Sequence, residues 1–184
     1  MGKSEATRAE FVNALKVLIM TSPLDKITVT EIVSISGKTR QTFYRNFKDK
    51  YDLVNWHFEC LADKSFRQMG KGLTLKEGLN RKLNFIKQEQ SFFAAAFQSE
   101  DYNSLAAYDY ECILDFYQKV IMNKTGQRTL DREIQFLLEM YCKGSVYMTV
   151  EWARRDMDLT PEKMTALLIQ ALPCRLEELL TDLK

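Results

Sequence analysis

Apolar residues recur along this chain every third or fourth position, the repeat of helices that bury one face. From Ser4 to Met20 the stripe is Phe11, Leu15, Leu18 and Ile19. Thr21-Ser22-Pro23 closes it, because proline disfavours helical backbone at the residue before it. A short second helix is predicted from Thr28 to Gly37. Thr28 and Glu31 have capping-box spacing, Ile32 and Ile35 are expected to point inward, and Gly37 suits a left-handed stop. A third helix runs from Thr39, its cap, to Phe47, and a fourth from Lys48-Asp49 past Cys60 to Met69, where Gly70-Lys71-Gly72 breaks the pattern. Five further helices are predicted at about 75–90, 91–98, 103–124, 130–156 and 161–183. Thr160-Pro161-Glu162 opens the last one with a hydroxyl cap, a first-position proline and a first-turn acid. Pro173 should kink or split it, since proline removes a hydrogen bond and clashes one turn back. Strand signals are weak throughout, so the expected class is all-α.

Composition narrows this picture. With 184 residues, 46% hydrophobic and 28% charged, the chain has the balance of a soluble globular protein. Its longest apolar run, Phe92 to Phe97, is far below the ~18 residues that span a bilayer. The first residues lack a signal-peptide stretch, so the expectation is a cytoplasmic protein without membrane association. Cys60, Cys112, Cys142 and Cys174 lie too far apart for zinc-ligand spacing and read as small hydrophobes. His57 is the single histidine and reads as structural. No nucleophile–base pair, metal cluster or phosphate loop is evident, which argues against an enzyme and against a metal or other cofactor.

Net charge is only +1, so a global basic field is not the argument for nucleic acid. The distribution is more informative. Lys38, Arg40, Arg45, Lys48 and Lys50 face Asp49 alone across thirteen residues. This cluster starts within, and runs just past, a helix, a glycine turn and a second helix between Val29 and Phe47, an arrangement that docks its second helix in the major groove. Phe43 and Phe47, four apart, supply the buried side of that second helix. Arg40, Gln41, Thr42 and Tyr44 place hydrogen-bonding groups at its start, suited to base edges. Arg45, Lys48 and Lys50 are better placed for phosphates. The candidate DNA-contacting set is therefore Thr28, Lys38, Thr39, Arg40, Gln41, Thr42, Tyr44, Arg45, Lys48 and Lys50.

Thr28, Val29, Ile32, Gly37, Phe43-Tyr44, Phe47 and Lys50 together resemble the N-terminal domain of TetR/AcrR-family transcriptional regulators, over about residues 7–58. Two departures are mild: Lys38-Thr39 stands where a small apolar residue and serine are commoner, and Phe43 where leucine is commoner. Tyr141, Gly144 and Trp152, followed by the Thr-Pro-Glu start, are similar to the C-terminal domains of the branch that includes regulators of dihydroxyacetone kinase operons. The resemblance implies a helix-turn-helix DNA-binding domain over 1–50 and a helical-bundle effector-sensing and dimerisation domain over 51–184. It implies a homodimer on a palindromic double-stranded operator, acting as a ligand-responsive repressor. The alternative is an activator or co-regulator of the same fold, controlled by a protein partner.

In this family the last two helices usually form the dimer interface. Here Met164, Leu167, Leu168, Ala171 and Leu172, continued by Leu176, Leu179, Leu180 and Leu183, permit that, together with both faces of the helix from Leu130. The family's effector region corresponds to helices rich in aromatics. Phe58, Phe66, Phe85, Phe92, Phe93, Phe97, Tyr108, Phe116, Tyr117 and Trp152 are the candidate lining, with Tyr108 or Tyr117 as polar handle. Taken singly, each reads first as ordinary core; only the set suggests a cavity.

Overall fold

The computed structural model describes residues 3–181 and contains, among them, ten α-helices and no strand. They are α1 (Lys3–Ile19), α2 (Val29–Ser36), α3 (Arg40–Asn46), α4 (Lys50–Lys64), α5 (Leu75–Gln88), α6 (Gln90–Gln98), α7 (Leu105–Thr125), α8 (Arg132–Arg154), α9 (Pro161–Gln170) and α10 (Cys174–Leu180). The class is all-α, as the periodicity predicts. None of these helices is long and apolar enough to cross a membrane.

Side-chain chemistry sets most helix starts. Thr28 caps α2 with the reciprocal hydrogen bonds of a capping box, and Thr74 does the same for α5 with Glu77. Thr39, Asp49, Asp131 and Thr160 cap α3, α4, α8 and α9. Gly37 takes φ +64° between α2 and α3, a conformation that an L side chain resists.

Three expectations are corrected. First, α4 stops at Lys64 instead of running to Met69. Ser65 leaves helical geometry (φ −124°, ψ −107°), its hydroxyl donates back to the Leu61 carbonyl, and a short 3-10 turn from Phe66 to Gln68 drives Phe66 into the core. Second, Ile35 is 46% exposed and Val33 is buried in its place. The inward side of α2 runs through Val29, Ile32, Val33 and Ser36, and Ile35 lies off it. Third, the candidate dimer stripe is thinner than the sequence suggests. Met164, Leu168, Leu172, Leu176 and Leu180 are buried within the chain, whereas Leu167 and Ala171 remain exposed. Leu183 lies outside the described residues. Pro173 splits the last helix, so that α9 ends at Gln170 and α10 starts at Cys174.

One continuous apolar core runs from Phe11 in α1 to Leu180 in α10. Helix α1 packs on α2, α5 on α9, and α8 on both α6 and α7. Helix α4 connects the N-terminal helices to the rest, touching α1 on one side and α5 and α7 on the other.

Candidate nucleic-acid interface

Aromatic packing fixes α3. Phe11, Phe43 and Phe47 are almost fully buried, with edge-on contacts from Phe11 to Phe43 at 5.2 Å and to Phe47 at 6.2 Å. Phe47 continues to Trp56 at 5.9 Å, and the Arg8 guanidinium lies 5.6 Å from both of those rings. With Phe43 and Phe47 pointing inward, the opposite side of this two-turn helix faces solvent. Arg40, Gln41, Tyr44 and Arg45 are exposed, and Thr42 is half-buried.

The candidate residues divide by their partners. Thr28 Oγ1 accepts from the Glu31 amide at 3.3 Å and donates to the Glu31 carboxylate at 2.6 Å, so its hydroxyl is occupied within α2. Thr39 accepts from the Thr42 amide, and the two threonine hydroxyls lie 2.9 Å apart. Lys38 pairs with Glu10 on α1 at 2.7 Å. Arg40 Nη1 donates to Thr30 Oγ1 at 2.9 Å, and Nη2 reaches Tyr44 Oη at 3.5 Å. Lys50 is set back. Its Nζ donates to the carbonyls of Asp25 at 2.6 Å and Ile27 at 2.9 Å, tying α4 to the loop before α2. Gln41, Arg45 and Lys48 make no such inward side-chain contact among the described residues, and all three are exposed.

Two polar junctions that sequence reasoning missed join this head to the rest. Asp25 Oδ1 accepts from Ser99, just after α6, at 2.6 Å and from Tyr51 on α4 at 2.9 Å. Glu89, between α5 and α6, takes Lys16 of α1 at 2.9 Å and His57 of α4 at 2.6 Å. Burial opposes the Glu89 charge, but the hydrogen bonds from His57 and Lys16 outweigh it and bring its pKa down to about 2. Neither junction has a sequence signature, because its members are 26 to 74 residues apart.

Behind the head, the candidate effector residues pack against one another. Phe58, Phe66, Phe92, Phe93, Phe97, Tyr117 and Trp152 are buried, and Phe85, Tyr108 and Phe116 are half-buried. Phe66 meets Phe116 edge-on at 5.6 Å, Phe92 meets Phe93 at 5.3 Å, and the Trp152 indole donates to the Leu159 carbonyl. The gap enclosed by Phe66, Lys82, Tyr117, Tyr141 and Thr149 is about 10 Å³, roughly the room one water needs. Beside it Lys82 and Asp109 form a buried ion pair that sequence reasoning also missed. Tyr108 donates to Glu59 at 2.5 Å, in a network with Arg67 and Cys112. Burial first, then the neighbouring Glu59 charge, pushes the Cys112 thiol up to about 12, so it stays protonated. The cysteines are all free, and among the described residues no cluster of His, Cys, Asp and Glu could hold a metal.

An apolar face stands open on the far side. Phe136, Met140, Tyr147 and Met148 of α8 are 61, 59, 63 and 49% exposed, Leu167 of α9 is 39% exposed, and Met140, Gly144 and Met148 share a groove with Leu168 and Ala171 of the α9 end. Gly144 sits in the middle of this stripe with open space in front of it.

The comparisons agree with this architecture. No relative is found among curated proteins. The solved structure of the dihydroxyacetone kinase operon activator DhaS is similar in fold, with a TM-score of 0.64 over 95% of this chain and 98% of that one, at 19% sequence identity. Residues 74–173, more than half of the chain, match the TetR-type transcriptional regulator C-terminal region. The chain belongs to the TetR family of transcriptional regulators.

Proposed function

We propose that this regulator binds double-stranded DNA in a sequence-specific manner, as a homodimer on a palindromic operator. The observation that carries the reading is the two-sidedness of α3. Its Phe43 side is sealed in the head core, while Arg40, Gln41, Tyr44 and Arg45 stand together in solvent. A solvated helix surface needs no such set of base-compatible donors above a rigid aromatic platform. The open face of α8 and α9 supports dimerisation, because a contiguous apolar stripe of this kind is uncommon on a monomer. Two heads related by a two-fold axis then require half-sites about one helical turn, or a small multiple, apart.

The test is selection of duplexes from a random pool by the purified protein, followed by anisotropy titration on the enriched sequence and a scrambled one. Enrichment of a two-fold symmetric sequence is expected. A pool that stays random after repeated rounds overturns the reading.

The family resemblance favours a repressor released by a small effector. A second form, an activator or co-regulator controlled by a protein partner, is favoured by the small gap of about 10 Å³ around Phe66, Tyr117 and Tyr141, whereas a half-open pocket of about 110 Å³ lined by His57, Phe85 and Phe93 leaves room for a small effector. A screen of small molecules for a rise in melting temperature separates the two. A hit that also releases the enriched duplex supports the effector form.

A further inference from the structure

We propose that Thr30 is a positioning residue for Arg40, holding its guanidinium in the orientation that meets a base pair. The proposal rests on the DNA-binding reading above and concerns how that surface acquires sequence preference.

Arg40 is the first residue of α3, and its side chain is exposed. An unrestrained arginine there samples many rotamers, and ordering them on DNA opposes binding. In this structure the guanidinium is restrained from two helices. Thr30 of α2 accepts from Nη1 at 2.9 Å, and Tyr44, one turn along α3, lies 3.5 Å from Nη2 with its ring centroid 5.9 Å from the guanidinium carbon. Thr30 is itself fixed, since it lies between Thr28 and Glu31, whose capping box anchors the start of α2.

The chemistry of the two partners matters. Both are neutral hydroxyls, so they orient Arg40 without neutralising it. Among the described residues no carboxylate pairs with Arg40, and the nearby Glu31 carboxylate is engaged by the Thr28 amide and hydroxyl. Lys38, by contrast, is paired with Glu10. Of five guanidinium N–H groups, two point to Thr30 and Tyr44, and three remain for a bidentate contact to a guanine edge. The result is a full positive charge on a pre-aimed planar donor.

The experiment uses the full chain with the duplex it enriches and a scrambled duplex. Thr30→Val keeps the shape and removes the acceptor. It should weaken the enriched duplex roughly three- to tenfold, the effect of freeing one rotamer-rich side chain, with little change on the scrambled one. Thr30→Ser restores the acceptor and should bind within about twofold of the parent. In an Arg40→Ala background, Thr30→Val should have no further effect. Thr30 is exposed, so melting temperatures should not move.

Three results would overturn the proposal. One is Thr30→Val binding like the parent. Another is a loss that persists in the Arg40→Ala background, which would make Thr30 a direct DNA contact. The last is an equal loss on both duplexes. If no duplex is enriched at all, it is the DNA-binding reading that fails.

Discussion

Lys82 and Asp109 face each other from α5 and α7 as a desolvated ion pair, with Nζ 2.6 and 2.7 Å from the two carboxylate oxygens. Asp109 is fully buried and Lys82 nearly so, with the ammonium over the rings of Phe58 and Phe66. Burial raises the Asp109 pKa, and the Lys82 charge opposes that rise. Such a pair gives little net stability as a unit, but stranding one member is costly. Asp109→Asn should destabilise by about 3–5 kcal/mol, and Lys82→Met/Asp109→Leu should recover most of that. Lys82→Met alone leaves a carboxyl whose folded pKa is raised. Its stability should therefore fall as pH rises through that folded pKa and return in acid. Urea midpoints at several pH values decide this. Equal, additive losses for both single variants would mean that the two charges are not coupled.

The signal for this pair was present in the sequence. Lys82 falls among Leu75, Leu79, Leu83 and Ile86, and Asp109 falls between Leu105 and Ile113 at intervals of four. Two charges on apolar stripes of different helices mark a buried pair. Helix starts were legible because caps are local: Thr28, Thr39 and Thr160 each hold an amide three residues away. The end of α4 was not legible, because Ser65 breaks the helix where Phe66 finds a place in a core built from distant residues. The exposed residues of α3 were legible from Phe43 and Phe47 alone. The partners of Arg40, Lys38 and Lys50 were not, since Thr30, Glu10 and Asp25 come from other segments. The apolar stripe of α9 and α10 was overestimated for the same reason: periodicity counts apolar residues without showing which ones the chain covers itself.

Glu89 gives the fold an acid-sensitive joint between α1, α4 and the turn from α5 to α6. Its folded pKa of about 2 lies below the ordinary 4.5. The stabilisation is therefore complete above the unfolded value and is lost as pH falls towards 2. The side chain is about one-third exposed, so the effect after solvent screening is about 1 kcal/mol. Glu89→Gln should lower the urea midpoint at neutral pH, and its difference from the parent should close in acid. A difference that persists unchanged at the acid end would show that packing, and not charge, accounts for it.

Dimerisation should depend on the open α8 face. Tyr147→Glu and Met140→Glu place a charge on this stripe and should shift the scattering mass from about twice 21.5 kDa to the monomer value. Tyr102→Glu, at an 85% exposed position between α6 and α7, should leave the mass unchanged. A monomeric parent protein at micromolar concentration would sink the dimer.

Lys48 and Lys50, two residues apart, should separate electrostatic contact from scaffold. Lys48 is exposed and ends no hydrogen bond through its amine, whereas Lys50 Nζ binds the carbonyls of Asp25 and Ile27. Lys48→Ala should weaken the enriched and scrambled duplexes alike, lower the slope of log affinity against log salt by about 0.9 per subunit, and leave melting unchanged. Lys50→Ala should also weaken both duplexes. In addition it frees two carbonyls, a loss of about 1 kcal/mol that lowers the melting temperature by roughly 2–4 °C without DNA. Arg40→Ala provides the contrast, costing about 1–3 kcal/mol on the enriched duplex and little on the scrambled one. Anisotropy titrations at several salt concentrations, run beside thermal melts, distinguish the three. If Lys50→Ala melts like the parent, its carbonyl bonds do not hold α4 in place. If Arg40→Ala weakens both duplexes equally, Arg40 touches phosphate, and the preference for sequence must come from Gln41, Thr42 and Tyr44.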